Sequence, residues 1–220
     1  MSHMPSNHAP SLTPRSAGEG TGQTGNEVGA VLSAPSLAKR GRIGVGANAC
    51  LAENTASARL GLKGPGAADW LQSQGIVIPD TSNTWRELGD DSSLIARLGS
   101  TEFFVEQPAP AGLIDQLARA LRSPIDGVYL VLREDRAFVL EGSDANDVLA
   151  QVCNIDFKSV SRSKRHLVMT MMIGVAVLVI PQDSASNGAR SANGGCYRIW
   201  CDPTYGDYLW SSLQRVISGA

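Results

Sequence analysis

Leu60-Gly-Leu-Lys-Gly64, followed by Ala67, Asp69 and Leu71, returns 78 positions later as Phe138-Val-Leu-Glu-Gly142, followed by Ala145, Asp147 and Leu149. In each copy, apolar residues alternate up to a glycine and then recur three and four apart. That is a half-buried strand turning into an amphipathic helix, with glycine at the turn. Internal repetition predicts a duplicated fold. The first copy, residues 59–133, continues with a helical stripe (Ala67, Trp70, Leu71, Gln74) after Gly64-Pro65, where proline suits a first helical turn. Residues 94–98 and 102–106 flank Gly99-Ser100 as a hairpin. Leu113, Ile114, Leu117, Ala118 and Leu121 mark a helix that stops before Pro124, and residues 128–132 and 137–140 read as a second hairpin.

The second copy, residues 136–218, repeats the helix as Ala145, Val148, Leu149 and Val152, with Ser143 or Asp144 as N-cap. A long buried strand is expected over 168–180, ended by Pro181, then a polar loop (182–195) and a strand (196–201). In the closing helix Tyr205, Tyr208, Leu209, Leu213, Val216 and Ile217 share a face, with Trp210 one residue off it. The first copy has the split βαβ order, and the second lacks its final strand. The expected fold is α+β, two fused ferredoxin-like (split βαβ) units in residues 59–220, their sheets covered on one face by helices.

Residues 1–58 read differently. No Phe, Trp or Tyr occurs before Trp70, and the first 58 residues hold 8 Gly, 4 Pro and 7 Ser. Such a segment buries too little apolar surface to offset its ordering entropy, so a long extended arm is expected, flexible alone or wrapped on a partner. Val28, Val31, Leu32, Leu37 and Ile43 are its candidate partner contacts. Met1–Met4 resembles a cloning remnant and is left out of the fold reading.

The 220-residue chain is 43% hydrophobic and carries a net charge of −2, which argues against a nucleic-acid binder. Its longest apolar run, residues 167–180, is too short to span a membrane, and no signal peptide is visible. Four cysteines (Cys50, Cys153, Cys196, Cys201) are too sparse for a disulfide scaffold and suit a reducing cytoplasm.

The motifs of chemistry fail one by one. Gly18–Gly25 lacks the strand and helix that a phosphate-binding loop needs. His166 stands alone in the folded part, and Cys196 and Cys201, five apart on a strand, point to opposite faces, so no metal set forms. No serine-hydrolase elbow occurs. A cysteine nucleophile paired with His166 stays a weak alternative. Asp126, Asp135 and Asp144 fall at turns, where capping explains them, and Asp156, after a helix, reads as structural. No catalytic, cofactor or metal residue is therefore assigned. Lys158, Arg162, Lys164, Arg165 and His166 form the strongest charge feature, read as a solvated loop or a patch facing an acidic partner. Arg162, Lys164 and Arg165 are candidate partner contacts, as is Trp210 if it sits at the edge of its helix face.

Lys63-Gly-Pro-Gly-Ala-Ala-Asp-Trp-Leu71, Ile78-Pro79, Asn83-Thr-Trp85 and Arg97-Leu-Gly-Ser-Thr-Glu-Phe103 together resemble the gamma subunit of heterotetrameric sarcosine oxidase. Phe138-Val-Leu-Glu-Gly142, Asn154-Ile-Asp156, Thr170-Met-Met-Ile-Gly174 and Tyr208-Leu-Trp-Ser-Ser-Leu213 extend the resemblance over residues 59–218, leaving the arm unmatched. The resemblance implies part of the glycine-cleavage T-protein fold and an accessory chain without an active site of its own. It implies alpha-like, beta-like and delta-like partner subunits, with FAD, FMN, NAD and tetrahydrofolate on the partners and none here. The substrate would be sarcosine or another N-methylated amine. The alternatives are a folate-dependent aminomethyltransferase or folate-binding protein, and a stand-alone scaffold.

Overall fold

The sequence unit ββαβββα occurs twice in the computed structural model, which describes residues 48–89, 92–160, 162–182 and 195–219. The first copy comprises β1 (Ala49–Glu53), β2 (Ala58–Lys63), α1 (Ala67–Ser73), β3 (Thr84–Leu88), β4 (Ser93–Arg97), β5 (Glu102–Gln107) and α2 (Gly112–Ala120). The second comprises β6 (Tyr129–Val131), β7 (Arg136–Gly142), α3 (Ala145–Val152), β8 (Val168–Met172), β9 (Val175–Gln182), β10 (Gly195–Cys201) and α4 (Gly206–Ser218). Two five-stranded antiparallel sheets result, ordered β1-β7-β10-β9-β8 and β6-β2-β5-β4-β3. The copies exchange their first strands: β1 pairs with β7 of the second copy, and β6 with β2 of the first.

That exchange explains where the expectations and the structure differ. Residues 128–132 and 137–140 are not a hairpin, because β6 and β7 belong to different sheets. The strand that the second copy lacked is β1, so the folded part takes in residues before 59. In each copy three strands, not two, lie between the helices. The extra ones are the short edge strands β3 and β8. Residues 168–180 fold as the β8–β9 hairpin about Ile173-Gly174 (φ 49° and 81°), and Pro181 lies inside β9. A β-branched residue in the left-handed region is strained by on the order of 1 kcal/mol; Ile173 is held there by packing against the adjoining core.

The repeated glycines follow from the same crossing. Gly64 (φ 123°) and Gly142 (φ 133°) end β2 and β7. A Cβ at Gly64 would lie 2.2 Å from the Gly127 carbonyl oxygen, and one at Gly142 2.0 Å from that of Asn48. Both obstacles are the chain leading into an exchanged strand, so only glycine fits. The helices α1 and α3 then bury matching faces, Ala67-Trp70-Leu71 and Ala145-Val148-Leu149, each 78 apart as the sequence repeat requires.

Strand parity sorts the core into layers. Phe138, Leu140, Val177, Val179, Tyr197 and Ile199 face α3 and α4, whereas Leu60, Leu62, Ile95, Phe103 and Val105 face α1 and α2. The opposite faces of the two sheets meet through Leu94, Ala96, Phe104, Leu178, Ile180 and Trp200. The architecture is helix, sheet, sheet, helix. No helix among the described residues is long and apolar enough to cross a membrane.

Candidate functional site

Between the sheets, the apolar contact is interrupted by one charged cluster. Glu106 of β5 is fully buried, and its carboxylate accepts from Arg59 Nε (2.6 Å), Trp200 Nε1 (2.6 Å) and an Arg198 guanidinium nitrogen. Register makes Glu106 equivalent to Trp200 in the duplicated fold, and Phe104 equivalent to Arg198. The cluster therefore sits where the copies meet, with Phe104 edge-on to Trp200 at 5.4 Å. Arg59 also donates to the carbonyls of Asn54 (2.8 Å), Thr55 (3.0 Å) and Asp135 (3.1 Å). Those carbonyls belong to the two links through which the exchanged strands cross, so one guanidinium clamps both crossings. Thr55 and Asn54 add bonds to Ala137 at 3.1 and 2.7 Å. Farther along, Arg136 pairs with Glu53 at 2.7 Å and tethers β1 to β7.

This cluster went unnoticed in the sequence reading. Its signal was available: Glu106 and Arg198 interrupt apolar strands (Phe103-Phe-Val-Glu106, Tyr197-Arg-Ile-Trp200) at positions that parity turns inward.

A second feature lies at the sheet rims. The chain just before β8 runs antiparallel to the start of β3: Trp85 donates to the Arg165 carbonyl (3.0 Å) and Leu167 to that of Asn83 (2.9 Å), about a Thr84–His166 bridge. Asn83 and Arg165 both take left-handed backbone (φ 59° and 53°) beside it. Depressions of about 350 and 680 Å³ flank this crossing, and Lys164 lies on the rim of both.

The basic run is thereby divided. Lys158 pairs with Asp147 at 3.1 Å on the surface. Arg162 donates to the Tyr197 hydroxyl at 2.8 Å, and Tyr197 in turn donates to Asn146 of α3, so Arg162 anchors the loop. Arg165 spreads over the Trp85 ring, 5.1 Å from its centroid, and reaches Glu87 at 3.3 Å. Lys164 and His166 are exposed.

Trp210 is only 3% exposed and packs 5.6 Å from Phe138, so it is a core residue, not an edge anchor. The buried face of α4 is Leu209, Trp210, Leu213 and Ile217, a phase that leaves Tyr205 and Tyr208 more than half exposed. Val28, Val31, Leu32, Leu37 and Ile43 lie outside the described residues. Cys153, Cys196 and Cys201 are buried; burial pushes the Cys201 thiol up to about 12 and raises those of Cys196 and the Tyr197 phenol. Among the described residues no three His, Cys, Asp or Glu side chains converge as a metal site.

No protein-family model matches the sequence, and no curated protein matches it. Solved structures do. One is heterotetrameric sarcosine oxidase from Corynebacterium sp. U-96 in complex with pyrrole 2-carboxylate. The match has a TM-score of 0.61 at 19% identity, over 80% of this chain and 88% of the matched one. Another is the glycine cleavage system aminomethyltransferase T from Bartonella henselae. There the TM-score is 0.55 at 14% identity, over 76% of this chain and 45% of that one, so the chain spans less than half of that protein. The duplicated helix–sheet–sheet–helix arrangement is thus the fold shared by a sarcosine oxidase chain and the glycine-cleavage aminomethyltransferase.

Proposed function

We propose that this chain is a non-catalytic, gamma-like accessory subunit of a heteromeric flavin-dependent oxidase or dehydrogenase acting on sarcosine or a related N-methyl amine. The observation that carries the reading is the extent of the match: four-fifths of this chain covers nearly all of one sarcosine oxidase chain. Its partners would be alpha-like and beta-like subunits, with a delta-like one, in the cytoplasm. FAD, FMN, NAD and tetrahydrofolate would be held by those partners. The centre of the fold supports this, because the place where the copies meet is closed by Glu106, Arg59, Arg198 and Trp200. A buried carboxylate saturated by three donors is occupied in holding the sheets together. Exposed Tyr205 and Tyr208 supply aromatic surface of the sort that anchors subunit interfaces.

A free folate-dependent aminomethyltransferase is the second reading, favoured by the shared fold with the T protein. It is the weaker one, since the likeness covers 45% of that protein. The purified chain distinguishes them. On the accessory reading it is colourless, turns over no N-methyl amine and transfers no aminomethyl group. A stoichiometric flavin spectrum, or turnover by the isolated chain, would overturn that reading.

A further inference from the structure

Two donor atoms on residues in the wall of the larger depression beside the β3 crossing lack an acceptor. Trp85 is 5% exposed, lines the depression, and its indole Nε1 has no hydrogen-bond partner among the described residues. The next residue, Arg86, is half-buried, lines the same depression, and has a buried Nε that is likewise unpartnered. A buried guanidinium N–H left without an acceptor is costly, and so is a buried indole N–H. On the facing loop, strained backbone at Arg165 projects its guanidinium over the Trp85 ring. Its partner Glu87 is 3.3 Å away with both side chains about half exposed, a pairing that contributes roughly 0–1 kcal/mol. Arg165 can therefore exchange Glu87 for another oxyanion at little cost. Asp80 and Glu87 on the rim disfavour a dense polyanion. Ile78, Pro79 and the Trp85 ring give an apolar side on which a ligand body can rest.

We propose that the groove lined by Ile78, Thr84, Trp85, Arg86, Lys164 and Arg165 binds a small organic anion, one carboxylate or phosphate on an apolar body. The oxyanion lies against the Arg86 and Arg165 guanidinium groups, which favour planar bidentate recognition, and the body against Ile78 and Trp85. A volume of about 680 Å³ suits a ligand of that size. The site is independent of the accessory role: it uses one chain only.

The test is a titration of the full chain with benzoate, phenyl phosphate and the neutral analogue benzyl alcohol. The readout is the indole N–H resonance of Trp85, assigned through Trp85→Phe. The expected result is a saturable shift with one or both anions and none with the alcohol. The stronger anion identifies which of the two groups the site prefers. Arg86→Gln weakens binding at least about tenfold, the loss of one charge-assisted bidentate contact. Arg86→Lys falls between, and Lys158→Gln, in the same basic run as Arg165 but outside the groove, leaves binding unchanged. If Arg86→Gln fails to fold, Arg165→Gln replaces it, with a loss of about threefold or more expected. Benzyl alcohol binding as well as the anions would overturn the proposal. So would equal losses in the Arg86 and Lys158 variants, or no shift with any ligand.

Discussion

Replacing Glu106 by Gln tests how the duplicated fold is held. The carboxylate is fully buried, takes Arg59 Nε and Trp200 Nε1 at 2.6 Å each, and also binds Arg198. Gln keeps the shape but removes the counter-charge from two guanidinium groups that are 5–6% exposed. It also turns an amide donor toward other donors. Removing one partner of a buried ion pair costs about 3–5 kcal/mol, a large share of a total stability of about 5–15 kcal/mol. At about 2–4 °C per kcal/mol for a chain of this size, the melting temperature should fall by roughly 6–20 °C. Circular dichroism during thermal and urea unfolding measures it. Because the cluster joins both sheets and both crossing links, the variant should still unfold in one transition. An apolar replacement of the whole set (Arg59→Met, Glu106→Leu, Arg198→Met) should recover much of the loss, since a buried ion triad is itself no better than good apolar packing. A Glu106→Gln variant within about 0.5 kcal/mol of the parent, the spread of ordinary surface substitutions, would mean that the carboxylate does not hold the two sheets together.

Gly142→Ala and Gly64→Ala should each destabilise by about 2–4 kcal/mol, because the new Cβ meets a carbonyl and the backbone is left-handed. Gly174→Ala, also left-handed but with open space around it, should cost only about 1 kcal/mol; urea midpoints compare the three. Starting the chain at Asn48 should leave the melting temperature nearly unchanged, whereas starting it at Arg59 removes β1 with buried Ala49 and Leu51 and should abolish cooperative unfolding. Stability should fall as pH rises from about 9 toward 12, because the folded Cys201 thiol holds its proton to about 12 while the unfolded one loses it near 9.0. Cys201→Ala should flatten that slope, read from urea midpoints at successive pH values.

Much of the fold was legible because the repeat is written in side chains that pack locally. Leu60, Leu62, Ala67 and Leu71, with their partners 78 residues on, each obey the period of one element. The exchange of first strands was not legible. Ala49–Glu53 has no aromatic and a composition that reads as arm, and its place is set by pairing with residues 138–142, a long-range register that local pattern does not carry. The extra edge strand β3 was hidden for a related reason: Thr84-Trp-Arg-Glu-Leu88 is partly exposed and charged, as edge strands are. Trp210 was placed at a helix edge from a stripe that included Tyr205 and Tyr208; the helix begins at Gly206, and its buried face is turned so that Trp210 meets Phe138. The charge run was visible in the sequence, but its division into an anchor (Arg162), a ring cover (Arg165) and exposed ends depends on Tyr197 and Trp85, which come from distant strands.

The accessory role is tested most directly by purifying the full chain, tagged, from its native host under gentle salt, then identifying and quantifying what elutes with it. An accessory subunit should elute in a stoichiometric complex containing a large dinucleotide-binding chain and a flavoprotein chain, whose flavin absorbance bleaches on adding sarcosine or another N-methyl amine. A chain that elutes alone, or with partners carrying no flavin that such an amine reduces, would contradict that role.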